Sequence, residues 1–280
     1  EYVVHIKKNG IEYLQFRKLL EYSDIITHAY SLGIDRNFRT ARANKEKLPR
    51  EDLENALKDY EMLGKAVNIE LKDMAKPNQN HTDNVQIINK KVLTDKPDFN
   101  LDEYNKTDGL ITNKPGIALG STNADCILIY IFDPLKKVIA NVHSGWKGTF
   151  QKIGEKTAQK MIKEYGCNPQ DLIACMCPSI RKCHFEVRED VMELFEEKFE
   201  RSIDLSKIIE KQKSEFNSST EEKWNIDTIE LNRIMLIKEG LIPENIIDSG
   251  LCSVCNSDII HSFRVEKEGY GLATALIELK

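Results

Sequence analysis

Cys126-Ile127-Leu128-Ile129-Tyr130-Ile131-Phe132-Asp133-Pro134-Leu135-Lys136-Lys137-Val138-Ile139-Ala140-Asn141-Val142-His143 holds two apolar runs separated by a polar break. Each run is short and rich in β-branched and aromatic residues, so both read as strands. Pro134 takes the second position of a four-residue turn, Asp133–Lys136, where its fixed φ is favourable. If Asp133 and Lys136 close this hairpin, Cys126 faces His143 across its open end, with Cβ atoms about 4.5–5.5 Å apart. Two-residue hairpins prefer mirror-image turns, so a longer loop would shift this register. A slip of one residue would send the two side chains to opposite faces.

Outward from this hairpin, helical period appears over Glu51–Val67, Phe150–Tyr165, Val191–Phe199 and Asp227–Glu239. Gly166 stands where a C-terminal glycine is expected. Asp227-Thr228-Ile229-Glu230 reads as a variant capping box. Further strands are expected at Val85–Ile88, Gly116–Leu119, Leu172–Met176 and Leu272–Ile277. Strands and helices mix without regular βαβ alternation. The expected fold class is therefore α+β, with mixed, largely antiparallel sheets and flanking helices. Arg36–Pro49 and Lys211–Lys223 read as exposed loops, and neither has the composition of a flexible linker. We expect a single domain over residues 1–280.

The 280 residues carry 40 basic and 45 acidic side chains, a formal charge of −5, and are 41% apolar. That balance suits a globular protein with a sizeable core and lacks the basic footprint of a nucleic-acid binder. The longest purely apolar stretch, Cys126–Phe132, is far short of the roughly twenty residues of a membrane-spanning helix. Seven cysteines in a chain this long show no disulfide-framework spacing. They read as thiols of a reducing compartment, and the expected localisation is cytoplasmic. No feature sets an oligomeric state.

Among six histidines there is no His-x-His pair and no His-Glu-x-x-His. A phosphate-binding Gly-rich loop, a G-x-S-x-G elbow and the His-x-Glu/Pro-Cys-x-x-Cys deaminase signature are likewise missing from the sequence. What remains is Ala124-Asp125-Cys126, His143-Ser144-Gly145-Trp146-Lys147-Gly148-Thr149 and, upstream, Gln79-Asn80-His81-Thr82-Asp83. A Cys and a His at one end of a hairpin can form a thiolate–imidazolium nucleophile pair. They can equally be two ligands of a metal completed by a third such as His81. Two His and one Cys with an open position suit catalytic zinc, which activates water or polarises substrate; the same set can hold copper. By spacing alone, a buried Cys beside a structural His stands on equal terms with these readings.

Asp108-Gly109-Leu110-Ile111-Thr112, Pro115-Gly116-Ile117-Ala118-Leu119, Thr122-Asn123-Ala124-Asp125-Cys126 and His143 through Thr149 follow in order. With Cys177-Pro178-Ser179-Ile180, Phe185-Glu186-Val187 and Cys252 through Arg264, they resemble the bacterial laccase-domain, or multicopper polyphenol oxidoreductase, family. Its members are described as purine nucleoside phosphorylases and some as peptidoglycan editing factors. The resemblance spans roughly residues 79–278. It implies a zinc site of His81, Cys126 and His143. It also implies phosphorolysis of adenosine, inosine or guanosine, cleavage of 5′-methylthioadenosine, and deamination of adenosine at the same site. Arg264 matches the family's arginine in His-Ser-Phe-Arg, and Lys147 stands where the family usually has arginine, keeping the charge without the bidentate fork. These two cations are the expected phosphate contacts. The family's Ser-Thr-Arg appears here as Ser31-Leu32-Gly33, its C-terminal Gly-Arg as Gly271-Leu272, and the glycine of its Gly-Pro-Ser-Ile as Cys177.

Asp125 reads either as a carboxylate holding the ligand strand or as a general base, and Trp146 as core or pocket wall. Glu186 either orients a water or caps the following helix. Cys252-Ser253-Val254-Cys255 has zinc-ligand spacing, but no second pair of that spacing completes four ligands; Cys183-His184 could do so only by the chance of folding, and the segment reads as a structural turn. His5, His28, His184 and His261 read as ordinary residues. The resulting expectation is a zinc-dependent purine nucleoside phosphorylase with adenosine deaminase activity, acting on purine nucleosides and phosphate, with no nucleic-acid or membrane partner. Its rivals are a cysteine hydrolase or deamidase built on Cys126 and His143, a copper-dependent polyphenol oxidase, and a cell-wall editing factor acting by partner binding. A trinuclear copper cluster needs paired histidines that this chain lacks.

Overall fold

Both faces of the strand at 127–133 are buried, which is why it reads as an unbroken apolar run rather than an alternating one. In the computed structural model, which describes residues 2–40, 48–89, 100–212 and 222–280, Leu128, Tyr130 and Phe132 enter one core. Ile127, Ile129 and Ile131 enter another.

The first core lies between two sheets. The larger has seven strands, with β1 (Val3–Lys8), β2 (Ile11–Phe16), β3 (Ile26–Leu32), β16 (Ala273–Leu279) and β8 (Ala118–Asn123) running antiparallel in that order. Beyond β8 come β4 (Met74–Asn78) and β6 (Asn100–Asn105), both added in parallel. The second sheet has six strands, ordered β15 (Ile246–Asp248), β11 (Ile173–Met176), β9 (Ile127–Asp133), β10 (Val138–Ser144), β7 (Gly109–Thr112) and β5 (Val85–Ile87). Its central pairs are antiparallel and its two edge pairs parallel. A small third sheet joins β12 (Glu186–Val187), β14 (Trp224–Ile226) and β13 (Ile209–Lys211). Asn141 stitches the two large sheets, its side-chain amide donating to the carbonyls of Leu119 and Ala275, each at 2.9 Å.

Helices close the outer faces. After the single turn α1 (Arg17–Leu20), α2 (Arg50–Val67) lays Tyr60, Leu63 and Ala66 on the first sheet. Beyond the short α3 (Trp146–Phe150), α4 (Ile153–Tyr165) and α6 (Thr228–Lys238) cover the second sheet through Ile153, Met161, Ile229 and Leu236. Between them in sequence, α5 (Glu189–Phe199) packs on the third sheet, and α7 (Phe263–Glu266) is a single turn near the C-terminus. The mixed, largely antiparallel sheets with flanking helices agree with the fold class expected from the sequence. Among the described residues, no helix is long and apolar enough to cross a membrane.

Several boundaries differ from expectation for local reasons. The helix expected over Phe150–Tyr165 is broken at Lys152, whose φ of 64° is left-handed. Gly166 takes the left-handed C-terminal position as expected, and the Asp227 carboxylate accepts from Glu230 N–H at 2.9 Å. The expected loop Arg36–Pro49 lies partly outside the described residues, at 41–47. Its first part is packed rather than exposed, with Phe38 against the Tyr60 ring at 4.9 Å. The expected loop Lys211–Lys223 lies outside them at 213–221.

The hairpin register is corrected by two residues. Asp133 pairs with Val138 and Leu128 with His143, so the connection is the four residues 134–137. The Asp133 carboxylate holds it by accepting from the N–H groups of Leu135 and Lys136 at 2.9 and 2.8 Å. Cys126 thus lies one residue before β9 and diagonal to His143. An even shift preserves the face, so the two side chains still meet.

Candidate metal centre

Two of the three places where the chain passes from the first sheet to the second, between β4 and β5 and between β8 and β9, lie side by side. His81 sits in the first crossing and Cys126 in the second, while His143 projects from β10 beside them. Gln79 ties the crossings together: its amide donates to the Thr122 carbonyl at 2.7 Å and accepts from Thr122 N–H at 2.8 Å. The ligand atoms of His81, Cys126 and His143 all lie within 4.8 Å of one another. Cys126 Sγ is 3.8 Å from His81 Nε2. His81 and Asp125 have left-handed backbones, φ 57° and 81°, an uncommon conformation for residues with a side chain and one concentrated at functional sites. Gly145 completes the cradle. A Cβ there would stand 2.8 Å from His81 Cδ2 and 3.0 Å from Cys126 Sγ, so no larger residue fits without displacing a ligand.

Asp108, fully buried, organises this group from behind. One carboxylate oxygen lies 2.8 Å from His143 Nδ1, which leaves His143 Nε2 free to face the thiol. The same carboxylate accepts from the N–H groups of His81 and Thr82 at 3.0 and 2.8 Å and from the Thr82 hydroxyl at 2.7 Å. It therefore orients one imidazole and pins the turn carrying the other, the arrangement of a carboxylate behind a metal-ligating histidine. Burial pushes the Asp108 carboxyl up, but the His143 and Thr82 contacts outweigh it and hold it below its ordinary value. Sequence reasoning did not assign Asp108 to the site. Its partners are 27 and 35 residues distant, and no spacing rule connects them.

Burial also raises the Cys126 thiol, yet the charge on His143 and hydrogen bonds to both imidazoles bring it down to about 6. In His143, burial works against the charge, while the Cys126 thiolate and the Asp108 carboxylate favour it and raise the imidazole to about 9. Without a metal, the two form a thiolate–imidazolium pair. The donor set fits a tetrahedral zinc ion with one open position, since zinc sits about 2.0–2.1 Å from His nitrogen and about 2.3 Å from Cys sulfur.

The site opens on a cleft of about 520 Å³ walled by Trp146, Phe185, Val187, Phe263 and Tyr270, with Glu186 and Arg264 at its polar side. Asp125 lines it with both carboxylate oxygens already engaged. One of its oxygens accepts from the Ser253 hydroxyl at 2.6 Å and the other from the Arg264 N–H at 2.7 Å. The Arg264 guanidinium donates to the carbonyls of His184 and Glu186 at 3.2 and 3.3 Å. Lys147 does not line the cleft; it is exposed, its ammonium 5.5 Å from the centre of the Trp146 ring. On the other side of the ligands, a recess of about 150 Å³ contains Arg39 and Lys76, which sequence reasoning had not singled out. Arg39 lies over the Tyr270 ring at 4.3 Å, and buried Lys76 donates to the Thr40 hydroxyl at 2.9 Å.

The Bacillus subtilis protein named purine nucleoside phosphorylase YlmD is 28% identical over 230 residues, covering 81% of this chain and 78% of its own. The adenosine deaminase RL5, from an unknown prokaryotic organism, is 29% identical over 202 residues, covering 72% of this chain and 73% of its own. The crystal structure of YlmD from Geobacillus stearothermophilus shares the fold with a TM-score of 0.80 at 18% identity, covering 100% of this chain and 99% of that one. The model of the family described as multi-copper polyphenol oxidoreductase laccase matches residues 39–280, with His81, Cys126 and His143 and the two crossings that carry the first pair included, and the chain belongs to that family.

Proposed function

We propose that this chain is a zinc-dependent purine nucleoside phosphorylase acting on adenosine, inosine, guanosine and 5′-methylthioadenosine, with adenosine deaminase activity at the same site. The observation that carries the reading is the His81–Cys126–His143 group, backed by buried Asp108 and opening on an aromatic-walled cleft. Names of relatives at 28% and 29% identity support the two activities. Zinc held there would supply a Lewis acid beside the substrate. Asp108 fixes the His143 tautomer, and Asp125 holds the turn at Cys126 against α7. Trp146 and Phe185 offer flat apolar surfaces for a purine and exclude water from it. Arg264, on the cleft wall, places fixed positive charge where phosphate meets the cation developing on the ribose. Lys147 contributes from the rim, and Arg39 and Lys76 add positive charge across the ligands. Seven cysteines without the spacing of a disulfide framework support a reducing, cytoplasmic setting.

Incubation of metal-assayed protein with adenosine, inosine and methylthioadenosine, with and without phosphate, tests the proposal. Phosphate-dependent release of free base and phosphate-independent conversion of adenosine to inosine are expected; release of neither product would overturn it. One observation favours a second reading. Cys126, His143 and Asp108 form a nucleophile–base–carboxylate series, the order needed by a cysteine hydrolase. That reading requires activity in the metal-free chain.

A further inference from the structure

Cys183 and His184 precede the cleft wall at Phe185, and Cys252 and Cys255 lie near the start of the segment leading to Arg264. The fold brings the four together although the pairs are 69 residues apart. This changes the reading of Cys252-Ser253-Val254-Cys255 as a mere turn, because the second ligand pair that the spacing lacked is supplied by Cys183-His184.

We propose that these four side chains form a second, structural zinc site of the Cys₃His type. Its geometry is that of a tetrahedral cage. Bond lengths of about 2.3 Å to sulfur and about 2.0–2.1 Å to nitrogen place tetrahedral ligand atoms about 3.5–3.8 Å apart. Cys183 Sγ is 3.6 Å from Cys252 Sγ and 4.0 Å from Cys255 Sγ. His184 Nδ1 is 3.2, 3.7 and 3.5 Å from the sulfurs of Cys183, Cys252 and Cys255. A disulfide explains this less well. It would join two of three equivalent sulfurs at about 2.05 Å and leave the third thiol and the imidazole converging on nothing. With zinc, three thiolates and one imidazole fill all four positions, the closed coordination of a structural rather than catalytic site.

The surroundings suit that role. The two segments are already in register, with Ser179 bridged to Cys252 and Ser253 N–H donating to the Ser179 carbonyl at 3.0 Å. Both then lead to the catalytic cleft. The His184 carbonyl receives the Arg264 guanidinium, and the Ser253 hydroxyl donates to Asp125, next to Cys126. A zinc ion here would clamp the cleft wall without touching substrate.

The test separates this ion from the one proposed at Cys126. Zinc-loaded Cys126→Ala protein, dialysed and assayed by mass spectrometry of metals, should retain about one zinc per chain, and Cys126→Ala/Cys255→Ser should retain none. Because the double variant is open to misfolding, a second measurement uses Cys126→Ala alone. Cobalt substitution should give the intense visible absorption and thiolate charge-transfer band of a tetrahedral ion. Chelation should expose Cys183, Cys252 and Cys255 to alkylation together. Folded Cys126→Ala protein without bound metal, or a disulfide from Cys183 recovered from chain purified under reducing conditions, would overturn the proposal. Two zinc ions retained by Cys126→Ala would leave the cage standing and refute the ligand assignment at Cys126.

Discussion

Asp108 lies 2.8 Å from His143 Nδ1 and accepts the backbone N–H of His81 with the same oxygen, so one buried atom serves two ligands. Replacing Asp108 by Asn keeps the volume and removes the charge. Metal affinity at His81–Cys126–His143 should fall by about 10–100-fold, the range for such supporting carboxylates. Competition with a coloured chelator in a Cys255→Ser background would measure it, and an unchanged affinity would show that Asp108 serves folding alone.

Cys126→Ala should lose the metal at this centre and all phosphorolysis and deamination, while the circular dichroism spectrum remains that of the folded chain. Full occupancy of the centre in that variant, measured with Cys255→Ser to remove the other cage, would sink the ligand assignment.

In the metal-free chain, Cys126 is a thiolate above about pH 6, because His143 and His81 outweigh the burial that raises it. Its alkylation by iodoacetamide should therefore be half-maximal near that pH, well below the ordinary thiol range. His143→Gln should move the midpoint up, since the largest stabilising charge is gone. Zinc should suppress the reaction at every pH; a zinc-loaded chain that is alkylated as fast as the metal-free one would favour the hydrolase reading.

Arg264→Ala should weaken phosphate saturation more than nucleoside saturation, with phosphorolysis falling further than deamination, which consumes no phosphate. Lys147→Ala, at an exposed position outside the cleft, should have the smaller effect. Steady-state kinetics with phosphate varied would separate these. If Arg264 only braces the carbonyls of His184 and Glu186, its removal would lower both activities alike.

His28 gives a separate prediction about stability. It is fully buried and accepts the Phe16 N–H at 2.8 Å, and burial lowers its pKa from 6.5 to about 3. Between those values the unfolded chain binds a proton that the folded chain refuses. Stability from this residue is complete above pH 6.5 and falls as the pH drops, by about 1.4 kcal/mol per pH unit. Denaturant unfolding at pH 7 and pH 5 should show the loss, and His28→Gln should flatten it.

The sequence made the second sheet legible where burial has a simple period. The run at 127–132 has apolar residues on both faces because both are covered, and α6 is announced by its Asp227 cap. The N-terminal strands were not legible. β1 leaves most of its side chains exposed or half-buried. β3 is buried throughout yet contains Thr27, His28 and Ser31, whose polarity is satisfied by particular tertiary partners such as Phe16 N–H. The grouping of His81, Cys126 and His143 was legible through resemblance, and the hairpin argument found the shared face of Cys126 and His143 despite an incorrect register. Asp108, Arg39 and the pairing of Cys183-His184 with Cys252 and Cys255 arise from contacts between residues distant in sequence, which no local pattern encodes.

The two crossings that carry His81 and Cys126 have a consequence beyond the site itself. His81 and Cys126 leave the first sheet while His143 belongs to the second, so the gap between ligands measures how the layers are aligned. Shear of one layer over the other, resisted by Asn141 and by the packing of Tyr130 and Phe132, would pull the donors apart before it disturbed either sheet internally. Metal affinity is therefore a gauge of interlayer alignment. Asn141→Ala, at a position buried between the sheets, should weaken metal binding at the centre with His81, Cys126 and His143 all still in place.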